Sequence, residues 1–211
     1  MKITIFGASG NIGKLLVGHA LEKGHFVNAY VRDLSKLKLS HPNLHIAQGE
    51  LSNKAEIISV VGGADLVISV LGPPLVRNYD GMPLAEAHQH IISAMKEKDV
   101  KRFITLATPS VKFEKDKRSV LTVLPGIFAK LFFPKSYKEI VEIGNIMKNS
   151  SVDWTVVRII APNNKPATGK IKVSFGDKKL SFGIARADIA AFILKEAESG
   201  NYIKSMPIIG S

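Results

Sequence analysis

Lys2-Ile3-Thr4-Ile5-Phe6 runs without a break into Gly7-Ala8-Ser9-Gly10-Asn11-Ile12-Gly13, and beyond it Leu15, Leu16, His19 and Leu21 continue a helical pattern. The order apolar strand, glycine-rich turn, amphipathic helix decides the fold. A tight strand-to-helix turn needs glycine where φ is positive, a diphosphate reaches the backbone only where no Cβ intervenes, and a third glycine lets the helix pack close to the strand. The N–H groups of Asn11, Ile12 and Gly13 then point at an anion, helped by the positive end of the helix dipole. The glycine spacing alone is weak evidence. Between a strand and a helix it predicts a dinucleotide site with Gly7, Ser9, Gly10, Asn11, Ile12 and Gly13 as contacts.

The alternation continues outward from this unit. Strand-like runs fall at Ile3–Phe6, Phe26–Val31, Leu44–Ala47, Leu66–Val70, Phe103–Ala107 and Trp154–Ile159, with helical patterns at Asn11–Lys23, Asn53–Val61, Leu84–Lys98 and Tyr137–Asn149 between them. Continuous apolar runs are strands buried on both faces, and parallel neighbours need helical crossovers. The expected fold is therefore α/β, a Rossmann-type doubly wound parallel sheet. Farther on, Ile171–Ser174 and Lys179–Phe182 flank Gly176-Asp177 and predict a small hairpin. A helix over Arg186–Glu198 and a short strand at Pro207–Ile209 follow, so the C-terminal part reads as a small substrate-side cap.

Length and composition bound the rest. A chain of 211 residues suits a single domain, 1–211. No cysteine occurs, which excludes disulfides, thiolate metal sites and cysteine nucleophiles and fits the cytoplasm. The first residues are not expected to form a signal peptide, because Gly7 and Gly10 interrupt the apolar run. The longest apolar stretch, Val120–Phe133, contains Pro125, Gly126 and Lys130 and is too short to span a bilayer. The net charge of +11 suits an anionic ligand, but the basic residues are scattered. Their one cluster, Lys112–Arg118, includes Glu114 and Asp116 and reads as a solvated loop rather than a nucleic-acid groove. His88 and His90, two apart, lie on different helix faces, and no cluster has metal-ligand spacing. No metal, membrane span or nucleic-acid partner is expected; the partner is a small molecule, and the oligomeric state stays open.

Further signatures coincide with the glycine turn: Val31-Arg32-Asp33 after the second strand, Ala64-Asp65-Leu66-Val67-Ile68 before Leu71-Gly72, Val100-Lys101-Arg102-Phe103-Ile104, and Val152-Asp153-Trp154-Thr155-Val156-Val157-Arg158. Together they resemble the atypical, extended-type short-chain dehydrogenase/reductase superfamily, in its NAD(P)H-binding, NmrA-like branch. In character the chain is most similar to the small biliverdin-IXβ/flavin reductase-like proteins.

Chemistry separates the two cofactor forms. A carboxylate after the second strand accepts from a ribose 2′-OH, whereas a cation pairs with the 2′-phosphate of NADP. Arg32 offers a planar bidentate donor and Lys36 a mobile point charge, which favours NADP(H). The other reading leaves both cations in solvent and Asp33 on the ribose. The resemblance adds that basic residues at matching positions contact this phosphate, that Glu50 and Leu51 flank adenine, and that Leu71 and Gly72 run beside the pyrophosphate and nicotinamide ribose. It also places Ile160, in Ile159-Ile160-Ala161-Pro162, near the carboxamide.

Reductases of the wider superfamily pair a tyrosine with a lysine four residues on, the tyrosine giving a proton to the carbonyl. Here Tyr137 is followed by Val141, so that dyad is broken. Its loss is shared with the flavin reductase-like group, where hydride and bound acceptor do most of the chemistry. By register, Thr108 holds the superfamily's Ser/Thr position and is the catalytic candidate, with Ser110 behind it. Thr108 serves equally well as a cap of the turn before Pro109. Val120–Phe133 falls where relatives form the substrate-side loop; it reads as a water-excluding lid or, more economically, as a packed helix or dimer contact. The expected activity is NADPH-dependent hydride transfer to a planar acceptor such as a flavin or quinone. The alternative is a non-catalytic NADP(H)-binding sensor of the NmrA type.

Overall fold

A computed structural model describes residues 1–74, 76 and 79–211. In chain order they form β1 (Lys2–Phe6), α1 (Asn11–Glu22), β2 (Phe26–Val31), β3 (Leu44–Gln48), α2 (Lys54–Val61), β4 (Leu66–Ser69), α3 (Pro83–Glu97) and β5 (Arg102–Ala107). There follow α4 (Val120–Phe132), α5 (Pro134–Asn149), β6 (Asp153–Ile159), β7 (Pro162–Asn163), β8 (Lys172–Ser174), β9 (Ile184–Ala185), α6 (Arg186–Ser199) and β10 (Ile208–Gly210).

Among the described residues eight strands join in one sheet, ordered β3-β2-β1-β4-β5-β6-β10-β8, and all but the β10–β8 pair run parallel. The order reverses at β1: the chain steps outward to β2 and β3, then returns to β4 on the other side. That makes a Rossmann-type doubly wound sheet.

Each face carries its own apolar layer. Ile3 and Ile5 of β1 meet Leu16, Val17 and Ala20 of α1 and Ile189 and Ile193 of α6. Phe6 points the other way, into a layer with Ile57 and Val61 of α2, Ile91 and Met95 of α3, and Ile140 and Ile143 of α5. The period-2 alternation of β1 thus feeds both layers, and burying each Leu or Ile stabilises the fold by about 1.5–3 kcal/mol. Helix ends follow local chemistry. Asn53 accepts from the Glu56 N–H to cap α2, and α6 stops at Gly200, whose φ is +63°. Pro134, lacking an N–H, begins α5 directly after α4 and divides the two helices at Phe133.

The expected hairpin at the C-terminal side does not form. Ile171–Ser174 contributes β8, but its partner is β10, with Ile208 opposite Ser174, and Lys179–Phe182 lies outside any strand. The turn itself exists: Asp177 accepts from the Phe175 N–H at 2.9 Å and lies 3.2 Å from the Ser174 hydroxyl. The Ser181 N–H then reaches the Ser211 carbonyl at 3.0 Å, so the segment follows the sheet edge as a loop. Among the described residues no helix is long and apolar enough to cross a membrane.

Candidate functional site

The carboxyl ends of β1, β2 and β4 enclose a cleft of about 210 Å³ at the point where strand order reverses. Open α/β sheets have their natural crevice there, because the loops leaving β1 and β4 diverge to opposite faces. Gly7, Ser9 and Gly10 form one wall, Val70, Leu71 and Gly72 the facing one. Tyr30, Val31, Arg32 and Leu51 close the end toward β2 and β3.

Steric limits make the glycine turn what it is. A Cβ on Gly13 would stand 2.1 Å from the Gly7 carbonyl oxygen and 2.7 Å from Ala8 Cα, both backbone atoms that cannot step aside. Gly7 has φ +80°, and a Cβ there would meet the Leu71 nitrogen at 3.1 Å. Gly10 precedes α1 with no side chain capping it, and no acid lies in the first turn. The helix therefore presents its positive end, at Asn11, Ile12 and Gly13, with no carboxylate of its own to offset it. These features fit a dinucleotide diphosphate.

At the far end, Arg32 is exposed at the cleft wall, and its carbonyl oxygen accepts from Gln48 Nε2 at 3.1 Å. Asp33 is already engaged. Its Oδ1 accepts from the Ser35 N–H at 2.9 Å and the Ser35 hydroxyl at 2.7 Å, and those bonds hold its carboxyl below the usual range. Lys36 Nζ lies 3.8 Å from Asp33 Oδ2 and is exposed outside the cleft wall. Glu50 is exposed too, whereas Leu51 packs into the core beneath the cleft.

Tyr30 lines this end without having been singled out in the sequence. Its hydroxyl lies 2.9 Å from the Glu50 carbonyl and 3.0 Å from Glu56 Oε2, and burial together with that carboxylate pushes its pKa up. It ties the turn after β3 to α2. An aromatic residue in an apolar strand run looks like core, so only its hydroxyl beside Val31-Arg32 hinted at more.

The remaining candidates lie beyond the cleft wall, around β5, α3, α4, α5 and β6. Thr108 follows β5 half-buried; its Oγ1 lies 3.4 Å from the Ser110 N–H and its carbonyl accepts from Val111 at 3.0 Å, so it also shapes the turn. Ser110 is 3% exposed, and its hydroxyl has no partner among the described residues. Gly126 of α4 packs over it: a Cβ there would lie 3.7 Å from Ser110 Cα. Ile160 is buried just beyond β6, beside Ala161 at φ +44°. Neither Thr108 nor Ile160 belongs to the cleft wall.

Lys112–Arg118 is not simply a solvated loop. Val111 and Phe113 are buried, and Asp116 receives both terminal nitrogens of the fully buried Arg158, at 2.6 and 2.7 Å. Arg158 also donates to the Val111 and Met206 carbonyls, so β6 pins the segment leading into α4. Among charged groups, a pair this buried holds only when both partners are fully hydrogen-bonded.

Glu139 of α5 is fully buried and accepts from the Leu84 and Ala85 N–H groups at the start of α3, at 2.6 and 3.3 Å, and from the Tyr79 hydroxyl at 2.6 Å. It caps α3 from another helix. Burial and that carboxylate push the Tyr79 hydroxyl up to about 12. Ser136 donates to the Pro74 carbonyl at 2.6 Å, so α5 holds both ends of the segment between β4 and α3. His88 of α3 is buried, with Nδ1 on the Leu84 carbonyl at 2.6 Å and Nε2 on the Thr105 hydroxyl at 2.9 Å. Burial lowers its pKa to about 4, so the ring is neutral and structural. Tyr137 is half-buried, and Val141, where the superfamily has lysine, packs against the core. Among the described residues no group of His, Asp and Glu could hold a metal ion.

A doubly wound sheet with a glycine turn and an open crevice at its switch point defines a dinucleotide-binding protein. A family model described as NAD(P)H-binding matches residues 7–199, and the chain belongs to that family. It is 30% identical over 213 residues to isoeugenol synthase 1 of Petunia hybrida, covering 93% of this chain but 61% of that enzyme, under two thirds of its length. Among solved structures, a wide-type short-chain dehydrogenase/reductase of Veillonella parvula in complex with NADP superposes with TM-score 0.82 at 16% identity, over 100% of this chain and 94% of that one. ChuY of Escherichia coli O157:H7, described as an anaerobillin reductase, gives TM-score 0.80 at 19% identity, over 100% and 96%. At these identities the two structures are likenesses of fold.

Proposed function

We propose that residues 1–211 act as one domain, an NADPH-dependent reductase that passes hydride to a planar conjugated acceptor such as a flavin or a quinone. The observation that carries the cofactor preference is the division of labour after β2: Arg32 faces the cleft wall while Asp33 spends its carboxylate on Ser35. Arg32, seconded by Lys36, would grip the 2′-phosphate bidentately, a group NADH lacks. Gly7, Ser9, Gly10 and the first turn of α1 would hold the diphosphate, Leu51 and Glu50 the adenine side, and Leu71, Gly72 and Ile160 the nicotinamide half. When bound, NADPH supplies a hydride, two electrons with one proton.

The nature of the acceptor follows from what the chain does not offer. With Val141 in place of the lysine, no tyrosine–lysine pair is available to protonate a carbonyl oxygen as hydride arrives. Flavins and quinones accept hydride as delocalised anions and take their proton from solvent afterwards, so they fit such a site. Thr108, with Ser110 behind it, would orient the acceptor through its hydroxyl. The solved likeness to a reductase and the family's NAD(P)H binding support this reading, and a cysteine-free chain suits the cytoplasm.

The test is NADPH and NADH oxidation against a panel of flavins and quinones, together with dissociation constants for both nucleotides. NADPH should bind ~10–100-fold tighter, and Arg32→Ala should erase that margin while leaving NADH unchanged. An NADH preference would overturn the cofactor assignment. Tight NADPH binding without turnover of any acceptor would instead favour a non-catalytic sensor.

A further inference from the structure

Helix α4 carries an apolar face that the fold does not use. Val120, Leu124, Ile127, Phe128, Leu131 and Phe132 are between 52% and 70% exposed. At about 100° per residue these positions fall within an arc of roughly 140°, one continuous stripe. Six of the fourteen exposed large hydrophobic side chains among the described residues thus sit on this 13-residue helix. Elsewhere they are scattered along the chain, the ordinary condition of a protein surface. Phe128 and Phe132 pack ring against ring at 4.5 Å within the stripe. The other face is inward: Thr122 is buried, and Gly126 lies on Ser110.

The stripe has a basic rim. Residues 112–138 hold six lysines and one arginine against two acids, Glu114 and Asp116, and Asp116 is neutralised by Arg158. Lys117 and Arg118 stand exposed just before the helix, and Lys130, Lys135 and Lys138 on and after it. An isologous dimer through this face would bring two such rims together. An anionic lipid surface accepts both features at once, taking the apolar face into the headgroup–acyl boundary while the cations meet lipid phosphates.

We propose that α4 is a docking surface for an anionic bilayer, lying in its interface without crossing it. Because the inner face of α4 covers Ser110 next to Thr108, docking turns the acceptor end of the site toward the lipid. Under the function proposed above, a lipophilic planar acceptor would then reach the site from the membrane. The docking itself is read without turnover, so its failure and the failure of that reading are separate results.

Flotation of the full-length protein with phosphatidylcholine vesicles, with and without phosphatidylglycerol, tests the idea. Binding is expected only with phosphatidylglycerol and should weaken as salt rises. Leu131→Asp should cut it on the order of tenfold or more, and Lys130→Glu by less, both with unchanged NADPH affinity as the control for folding. Absence of binding to phosphatidylglycerol vesicles overturns the proposal. So does binding that Leu131→Asp leaves intact, or a dimer in sedimentation velocity that Leu131→Asp dissociates while vesicles are ignored.

Discussion

The glycine-turn cleft and the β5–α5 region beyond it are built in opposite ways. The glycine-turn end comes from contiguous sequence and from backbone: Gly7 to Gly13 shape it, and the steric limit is a Cβ at Gly13 falling 2.1 Å from Gly7 O. The β5–α5 end comes from side chains distant in sequence, joined by buried charge. Arg158 reaches Asp116 across 42 positions and Glu139 reaches Leu84 across 55. A backbone-built site tolerates change in neighbouring side chains but not an added Cβ at Gly13. A site joined by side chains depends on each partner, and it can be retuned one residue at a time.

The largest expected effect breaks the second kind of construction. Arg158→Met leaves the nearly buried Asp116 carboxylate without its ion-pair partner, and it removes donors from Val111 and Met206. The cost should be about 3–5 kcal/mol in urea unfolding. If the ends are as separate as their construction implies, the folded variant still binds NADPH. A loss under about 1 kcal/mol would mean that the pair does not hold the segment before α4.

Gly13→Ala strikes the first kind. The added methyl meets only backbone, so the turn must open, at about 3 kcal/mol. Here stability and NADPH affinity should fall together, as thermal melting and fluorescence titration would show. Unchanged affinity in the variant would detach the turn from the cofactor.

What the sequence made legible tracks the same division. β1 to β6 and the glycine turn are local patterns, so apolar runs and glycine spacing were enough to place them. The partner of Ile171–Ser174 was misread because a turn dipeptide signals a turn without saying which strand lies alongside. Pairing with β10 depends on the chain more than thirty residues later. Arg158, Asp116 and Glu139 were illegible for a different reason. A charged residue in a strand, a loop or a helix reads as a surface residue, and only three-dimensional contact shows that its partner is buried with it. Lys112–Arg118 was read as solvated on those grounds. Tyr30 is buried core, as its apolar neighbours suggest, and nothing in the local pattern shows that it also lines the cleft.

The effect that is smallest near neutrality is a pH dependence arising in the side-chain-built region. His88 titrates at about 4 when folded, against about 6.5 for an exposed histidine, because burial disfavours its charged form. Between those values the unfolded chain binds a proton that the native state refuses, so stability falls as pH drops through the window. The loss should be about 1 kcal/mol by pH ~5.5 and about 3 kcal/mol below pH ~4, with none above neutrality. Carboxylates titrating lower down add their own slope, and His88→Gln separates the two contributions. The variant should flatten the curve between pH ~6.5 and ~4 whatever its starting stability, because a glutamine on the Leu84 carbonyl has no proton to gain. Parallel curves for the two proteins would show that the ring is already solvated or charged. The neutral Thr105–His88 link beneath β5 would then have to be given up.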